Sequence, residues 1–106
     1  MIMYNVTVSI DPEAEREWLA WIKEVHLPDV LATGHFAEAK IARILAEEEG
    51  GKAYSIQYFA ESMQAYQTYE REDAERLRAE HQQKFGTKTA AFRTLLHVIH
   101  HNDGKG

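Results

Sequence analysis

The chain of 106 residues contains no cysteine. That excludes a disulfide framework, a thiolate zinc site, a cysteine nucleophile and a thiol redox role, and it fits a reducing, cytoplasmic location. Apolar residues never run on for the roughly 18 positions that a membrane-crossing helix needs. The opening MIMYNVTVSI has no basic start and alternates as a strand does, so no signal peptide is expected. Positive charge is not in excess either: twelve Lys and Arg are scattered among seventeen Asp and Glu, for a net charge of −5. A nucleic-acid partner, which needs clustered basic groups to displace counterions, is not expected. Also missing are a Ser-His-Asp spacing, a glycine-rich phosphate loop and an H-E-x-x-H motif. What is present is an ordinary globular composition, 44% hydrophobic and 27% charged. Its length fits one domain, at about 100–200 residues per domain. The domain is expected over residues 1–101, with a flexible polar tail at 102–106.

The organising stretch is EWLAWIKEVHLPDVLATGHF, residues 17–36. Before it, residues 1–10 alternate at period two, with Ile2, Tyr4, Val6, Val8 and Ile10 on one face. Asp11 and Pro12 then supply an N-cap and a first helical residue. Trp18, Leu19, Ile22, Val25 and His26 recur at helical spacing and form the expected buried stripe. Pro28 lacks a donor, so a break or kink is expected near His26-Leu27, followed by a turn over residues 28–32 that Gly34 closes.

A second strand is expected over 35–45, with Phe36, Glu38, Lys40, Ala42 and Ile44 on one face and His35, Ala37, Ala39, Ile41, Arg43 and Leu45 on the other. Glu47-Glu48-Glu49-Gly50-Gly51 reads as a solvated turn rather than a cation site. A third strand over 52–59 completes a hairpin, with Tyr54, Ile56 and Tyr58 on one face. Ser62 caps a helix bearing Met63, Tyr66 and Tyr69. The stripe shifts near residues 71–73, so a second helix carrying Ala74, Leu77, His81 and Phe85 is expected, ended by Gly86. The charged residues from 70 to 80, with pairs such as Glu72–Arg76, read as a wet helix face. A last strand is expected over 89–100.

The order is βαββαβ, an α+β ferredoxin-like sandwich: a four-stranded antiparallel sheet with helices on one face. The other face is expected to carry Asn5, Thr7, Ser9, Ser55, Gln57, Arg93 and His97 beside Met3, Ala39, Ile41, Phe59 and Leu95. A half-apolar open face calls for a cover, and a second copy of the chain is the expected one.

YNVTV, W-x-x-W-x-x-x-x-H-x-P-x-x-x-x-T-G-x-F, QYFAES and AFRTLLHVI together resemble an uncharacterised bacterial domain-of-unknown-function family (4286), over residues 1 to about 100. The resemblance implies membership in the dimeric α/β-barrel group, in which two ferredoxin-like sheets face each other. Relatives by that fold include small monooxygenases, haem-degrading enzymes, lactone isomerases and simple ligand binders. Some haem-degrading and quinone-forming relatives use an asparagine, a tryptophan and a histidine or arginine. Asn5, Trp18 or Trp21, and His81 are the residues of those types here, although no motif matches residue by residue.

Candidate ligand-binding residues are Trp18, Trp21, His26, His35, Tyr58 and Tyr66, with Tyr69 beside them. The same rings are equally what a small sandwich needs to fill its core. Candidate acid, base or anion-holding groups are His26, His35, His81 and Arg93. His97, His100 and His101 have no supporting ligand cluster, so no metal is expected, and no cofactor. Three functions follow: a binder of a small apolar or aromatic molecule, a cofactor-independent monooxygenase or isomerase, or an interaction module without a ligand.

Overall fold

The computed structural model describes residues 1–45 and 52–104. Strand β1 (Ile2–Ile10) runs through the middle of the sheet, and its even-numbered side chains face the helices. Asp11 accepts the Glu13 amide through Oδ1 at 3.2 Å and starts a 3₁₀ turn, Pro12–Ala14, that leads into α1 (Glu15–Trp21). Trp18 and Ile22 are buried as their spacing implies, but Val25 is 40% exposed.

Of the break or kink expected near His26-Leu27, no break occurs; the helix is locally distorted there and continues. A π turn, Ile22–His26, widens the coil, and the Leu27 amide reaches back five residues to the Ile22 carbonyl. The chain then continues as α2 (Leu27–Ala32), with Pro28 in its first turn, where a missing donor costs nothing. The expected turn over 28–32 is therefore helical. Gly34 does close it, at φ +82° and with its amide on the Leu31 carbonyl at 3.0 Å.

Strand β2 (Glu38–Arg43) is shorter than expected and faces the opposite way. Ala39, Ile41 and Arg43 lie opposite Tyr58, Ile56 and Tyr54 of β3 (Lys52–Ala60), on the helix side. Buried Phe36 sits in the lead-in to β2, so its parity does not carry into the strand. The charged turn at 47–51 lies outside the described residues. Ser62 caps α3 (Met63–Glu72) by accepting the Ala65 amide at 3.1 Å. Asp73 separates it from α4 (Ala74–Phe85), whose C-cap is Gly86. Arg76 pairs with Asp73 at 3.0 Å instead of with Glu72.

Strand β4 (Thr89–His97) pairs with β1, giving the antiparallel order β2-β3-β1-β4. This is the expected ferredoxin-like α+β sandwich. The register sets Leu95 opposite Tyr4, Arg93 opposite Val6 and His97 opposite Ile2. Arg93, Leu95 and His97 therefore belong to the helix side, not to the open face, as do Ala39 and Ile41. The open face instead gains Phe92 and Leu96, 63% and 40% exposed, beside Met3 and Phe59. Its centre is polar: Ser55 donates to Asn5 Oδ1, Asn5 to Thr7, and Gln57 to Ser55. Among the described residues no helix is long and apolar enough to cross a membrane.

Gly34→Ala should destabilise the fold by about 1 kcal/mol, because an L side chain is disfavoured at positive φ. A Cβ there would meet nothing within 4 Å, so the loss is conformational alone. An unchanged midpoint in urea denaturation would contradict this account of the α2 terminus.

Candidate functional site

Tyr4 stands at the centre of the core. Its ring lies 5.1–6.2 Å from those of Tyr66, Tyr58, Tyr69 and Phe36. The hydroxyl at its tip accepts two guanidinium donors, Arg78 Nη2 at 2.8 Å and Arg93 Nε at 3.0 Å. Arg78 comes from α4 and Arg93 from β4, so two elements meet at one phenol. Arg78 also donates to Glu70, which accepts the Tyr66 hydroxyl at 2.5 Å. Burial opposes ionisation of Glu70, but the bonds from Arg78 and Tyr66 outweigh it and hold the carboxyl below its usual range. Burial likewise works against charge on Arg78, yet the Glu70 and Tyr4 oxygens raise its pKa above the ordinary guanidinium value.

A second group lies farther along the same side of the sheet. Trp18, wholly buried, donates its indole Nε1–H to His81 Nε2 at 2.9 Å. An indole can only donate, so His81 Nε2 carries no proton and the neutral ring holds it on Nδ1. Burial, and then the positive charge of Arg93, lower the His81 pKa. His26 comes from the π turn. Its ring stacks on Trp21 at 5.1 Å and lies 6.1 Å from His81. Its Nδ1 is buried without a hydrogen-bond partner among the described residues. Burial, with help from His81 and against a weak pull from Asp29, lowers its pKa to about 4. Both imidazoles are therefore neutral near pH 7; His26 keeps a nitrogen free to accept a proton, whereas Nε2 of His81 is held by the Trp18 indole.

Between the two groups is a cavity of about 470 Å³. Tyr4, Val6 and Val8 of β1 and Ile56 and Tyr58 of β3 form its floor; Ile22 and His26 close one side; Arg78, Ala79, His81 and Gln82 of α4 close another; Thr89, Ala91 and Arg93 form the exposed β4 rim. Burial first, then Tyr69 and Tyr4, push the Tyr58 phenol far above its ordinary value, so it stays a donor.

Of the anticipated residues, His26, His81, Arg93 and Tyr58 line this cavity. Trp18 and Trp21 stand behind its histidines, and Tyr66 stands behind Arg78 through Glu70. His35 lies elsewhere: its Nε2 is 3.2 Å from Asp73 and 4.0 Å from Glu72, at the α3–α4 junction. Those three side chains offer ligand atoms within 4.8 Å of one another, the one such group among the described residues. Arg76 and Arg71 already balance the two carboxylates, and the cluster serves as a clasp. Asn5 is on the open face, so it does not meet Trp18 and His81. His100 is bonded to Asn102 at 2.8 Å, away from any cluster.

Tyr4 and Arg78 were not anticipated as site residues. Arg78 is hidden in a charged run, yet it sits four residues after Ala74 and three before His81. That spacing puts it on the buried stripe of α4.

Residues 1–99 match the model of a family described as a domain of unknown function, DUF4286. No curated protein matches the chain. Among solved structures, a variant of MhuD with two manganese protoporphyrin IX molecules per active site is 19% identical, with 98% of this chain and 100% of that one covered at TM-score 0.72. A dimeric ferredoxin-like protein from an uncultured marine organism is 16% identical, with 97% and 99% covered at TM-score 0.71. A mutant of SnoaB, a cofactor-independent oxygenase from Streptomyces nogalater, is 7% identical, with 94% and 95% covered at TM-score 0.63. At these identities the likeness is one of fold.

The histidine environment sets a pH dependence. A histidine pKa lowered on folding contributes stability above its ordinary value of 6.5, and loses it as pH falls toward the folded value of about 4. Stability should drop between pH 6.5 and 4, by up to roughly 3 kcal/mol from His26. His26→Phe keeps a ring on Trp21 and should flatten the profile. Identical slopes for variant and parent in pH-stepped urea denaturation would contradict the assignment.

Proposed function

We propose that this chain, which belongs to the DUF4286 family, binds a small apolar or ring-bearing molecule in the cavity between α1, α4 and the sheet. The observation that carries the reading is the cavity of about 470 Å³, an apolar floor with a few polar groups converging on it. Its size lies within the roughly 300–1,000 Å³ of small-molecule sites. A closed core would have suited a purely structural module, whereas this cavity is bounded by two neutral histidines and two guanidiniums, polar groups able to orient a bound molecule.

A second reading has a specific observation in its favour. One neutral imidazole, His26, with an unpartnered buried nitrogen, suits proton abstraction from a bound substrate. That is the acid–base equipment of a cofactor-independent monooxygenase or isomerase, and SnoaB, of similar fold, is described as a cofactor-independent oxygenase. Binding is common to both readings, and His26→Phe separates them: a binder keeps its affinity, and an enzyme loses turnover.

The working unit is proposed to be a cytoplasmic homodimer joined through the open sheet face. Phe92, Leu96, Met3 and Phe59 give that face apolar flanks around a polar centre, and the marine protein of similar fold is described as dimeric.

Titration with small aromatic compounds should saturate at one site per chain and change tryptophan fluorescence, since Trp18 and Trp21 touch the cavity histidines. Ala91→Phe, on the exposed rim, should fill the cavity and weaken binding at least tenfold. Equal affinity in that variant would refute the site. In sedimentation velocity at micromolar concentration the particle should have twice the 12.2 kDa chain mass, and Phe92→Asp should halve it. A monomeric parent would refute the dimer.

A further inference from the structure

We propose that the ligand is a carboxylate, its anionic oxygens seated between Arg93 and the Tyr4 hydroxyl, and its apolar body lying over Val6 and Val8 toward His81. This rests on the binding reading above and names the chemical class.

The argument begins with a surplus of donors. The Tyr4 oxygen accepts from both guanidiniums, at 2.8 Å and 3.0 Å, so its two lone pairs are used. Its own O–H remains, with no acceptor among the described residues. Arg78 Nε–H is buried and has no acceptor either. Arg93 makes a single bond, through Nε to Tyr4, and no ion pair among the described residues, which leaves both Nη groups to offer. Buried donors without acceptors cost about 1–3 kcal/mol each, so the end of the cavity at Tyr4 lacks an acceptor.

Charge specifies which acceptor. Arg78 is balanced by Glu70. Glu75, the carboxylate on the wall, pairs with neither arginine among the described residues. Both wall histidines are depressed in pKa and add no positive charge near pH 7. Arg93, on the exposed rim, is the wall guanidinium without an ion pair among the described residues. Its planar donors match two oxygens of one carboxylate, and its single charge matches a monoanion.

The sheet then orients the rest. Tyr4, Val6 and Val8 succeed one another on the helix side of β1, about 6.6 Å per step at the rise of a strand. An acid held at Tyr4 lays its body over the two valines, both on the cavity floor. His81 stands near the far end, because its partner Trp18 packs at 5.2 Å on Tyr54, which lies opposite Val8. The anion anchor at Tyr4 and the neutral ring of His81 thus stand toward different ends of the cavity floor.

The test is calorimetric titration at pH 7.5 with matched pairs, 2-naphthoate and octanoate and the primary amide of each. An acid should bind at least tenfold tighter than its amide, and added salt should weaken only the acid. Arg93→Gln, an exposed rim substitution, should erase the difference by weakening the acid about tenfold while leaving the amide unchanged. Amides binding as tightly as acids, or acids binding Arg93→Gln as they bind the parent, would overturn the carboxylate assignment and leave the cavity reading standing. Binding of neither acids nor amides would overturn both.

Discussion

One hydrogen bond, from the Trp18 indole to His81 Nε2, sets the form of the helix layer. The two residues are 63 positions apart, on α1 and α4, and the bond locks those helices together over the sheet. Trp18 is wholly buried, so losing the acceptor would strand its N–H at a cost of about 1–3 kcal/mol. Protonating His81 would have the same effect, because N–H would then face N–H. The bond therefore holds His81 neutral and in one tautomer. Trp21 fills the space beside it, packing on His26, His81 and Phe85 at 5.1–5.9 Å. One wall of the cavity is fixed in position and in protonation before any ligand arrives, which is the preorganisation a site requires.

The elements whose alternation is undisturbed were legible in the residues. In β1 and β3 the aromatic and β-branched side chains share one parity, and both strands face as their pattern implies. Parity misled in β2, where buried Phe36 precedes the strand and is out of step with it. It also misled in β4, an exposed edge strand with apolar and polar residues on both faces. Pro28 was read as a break or kink, and a π turn is what accommodates it, which depends on the Ile22 carbonyl finding the Leu27 amide. Periodicity alone cannot anticipate that. The histidines show the same division. His26 and His81, picked out as candidates, both line the cavity. His35 was not separable from them until the fold carried it to Asp73. Arg78 was concealed because a charged run reads as solvent-facing, although its spacing from Leu77 and His81 already placed it at the edge of the buried stripe.

The two ends of the cavity differ in kind. At Tyr4 the groups are donors and cations; at His81 they are neutral rings next to an apolar floor. On the proposed binding reading, such a cavity would distinguish the head of a ligand from its body through side chains that the fold does not dictate. Proteins of similar fold differ in this respect: a MhuD variant carries manganese protoporphyrin IX in its active site, and SnoaB is described as a cofactor-independent oxygenase.

The account depends most on the state of His81. Nitrogen-15 NMR of the imidazole side chains at pH 7 reports it directly. The account predicts a neutral ring with the proton on Nδ1, an unprotonated Nε2 hydrogen-bonded to the Trp18 indole, and titration below the ordinary histidine range. An imidazolium at pH 7, or a proton on Nε2, would mean that the Trp18–His81 bond does not form and that the cavity wall is not fixed as described.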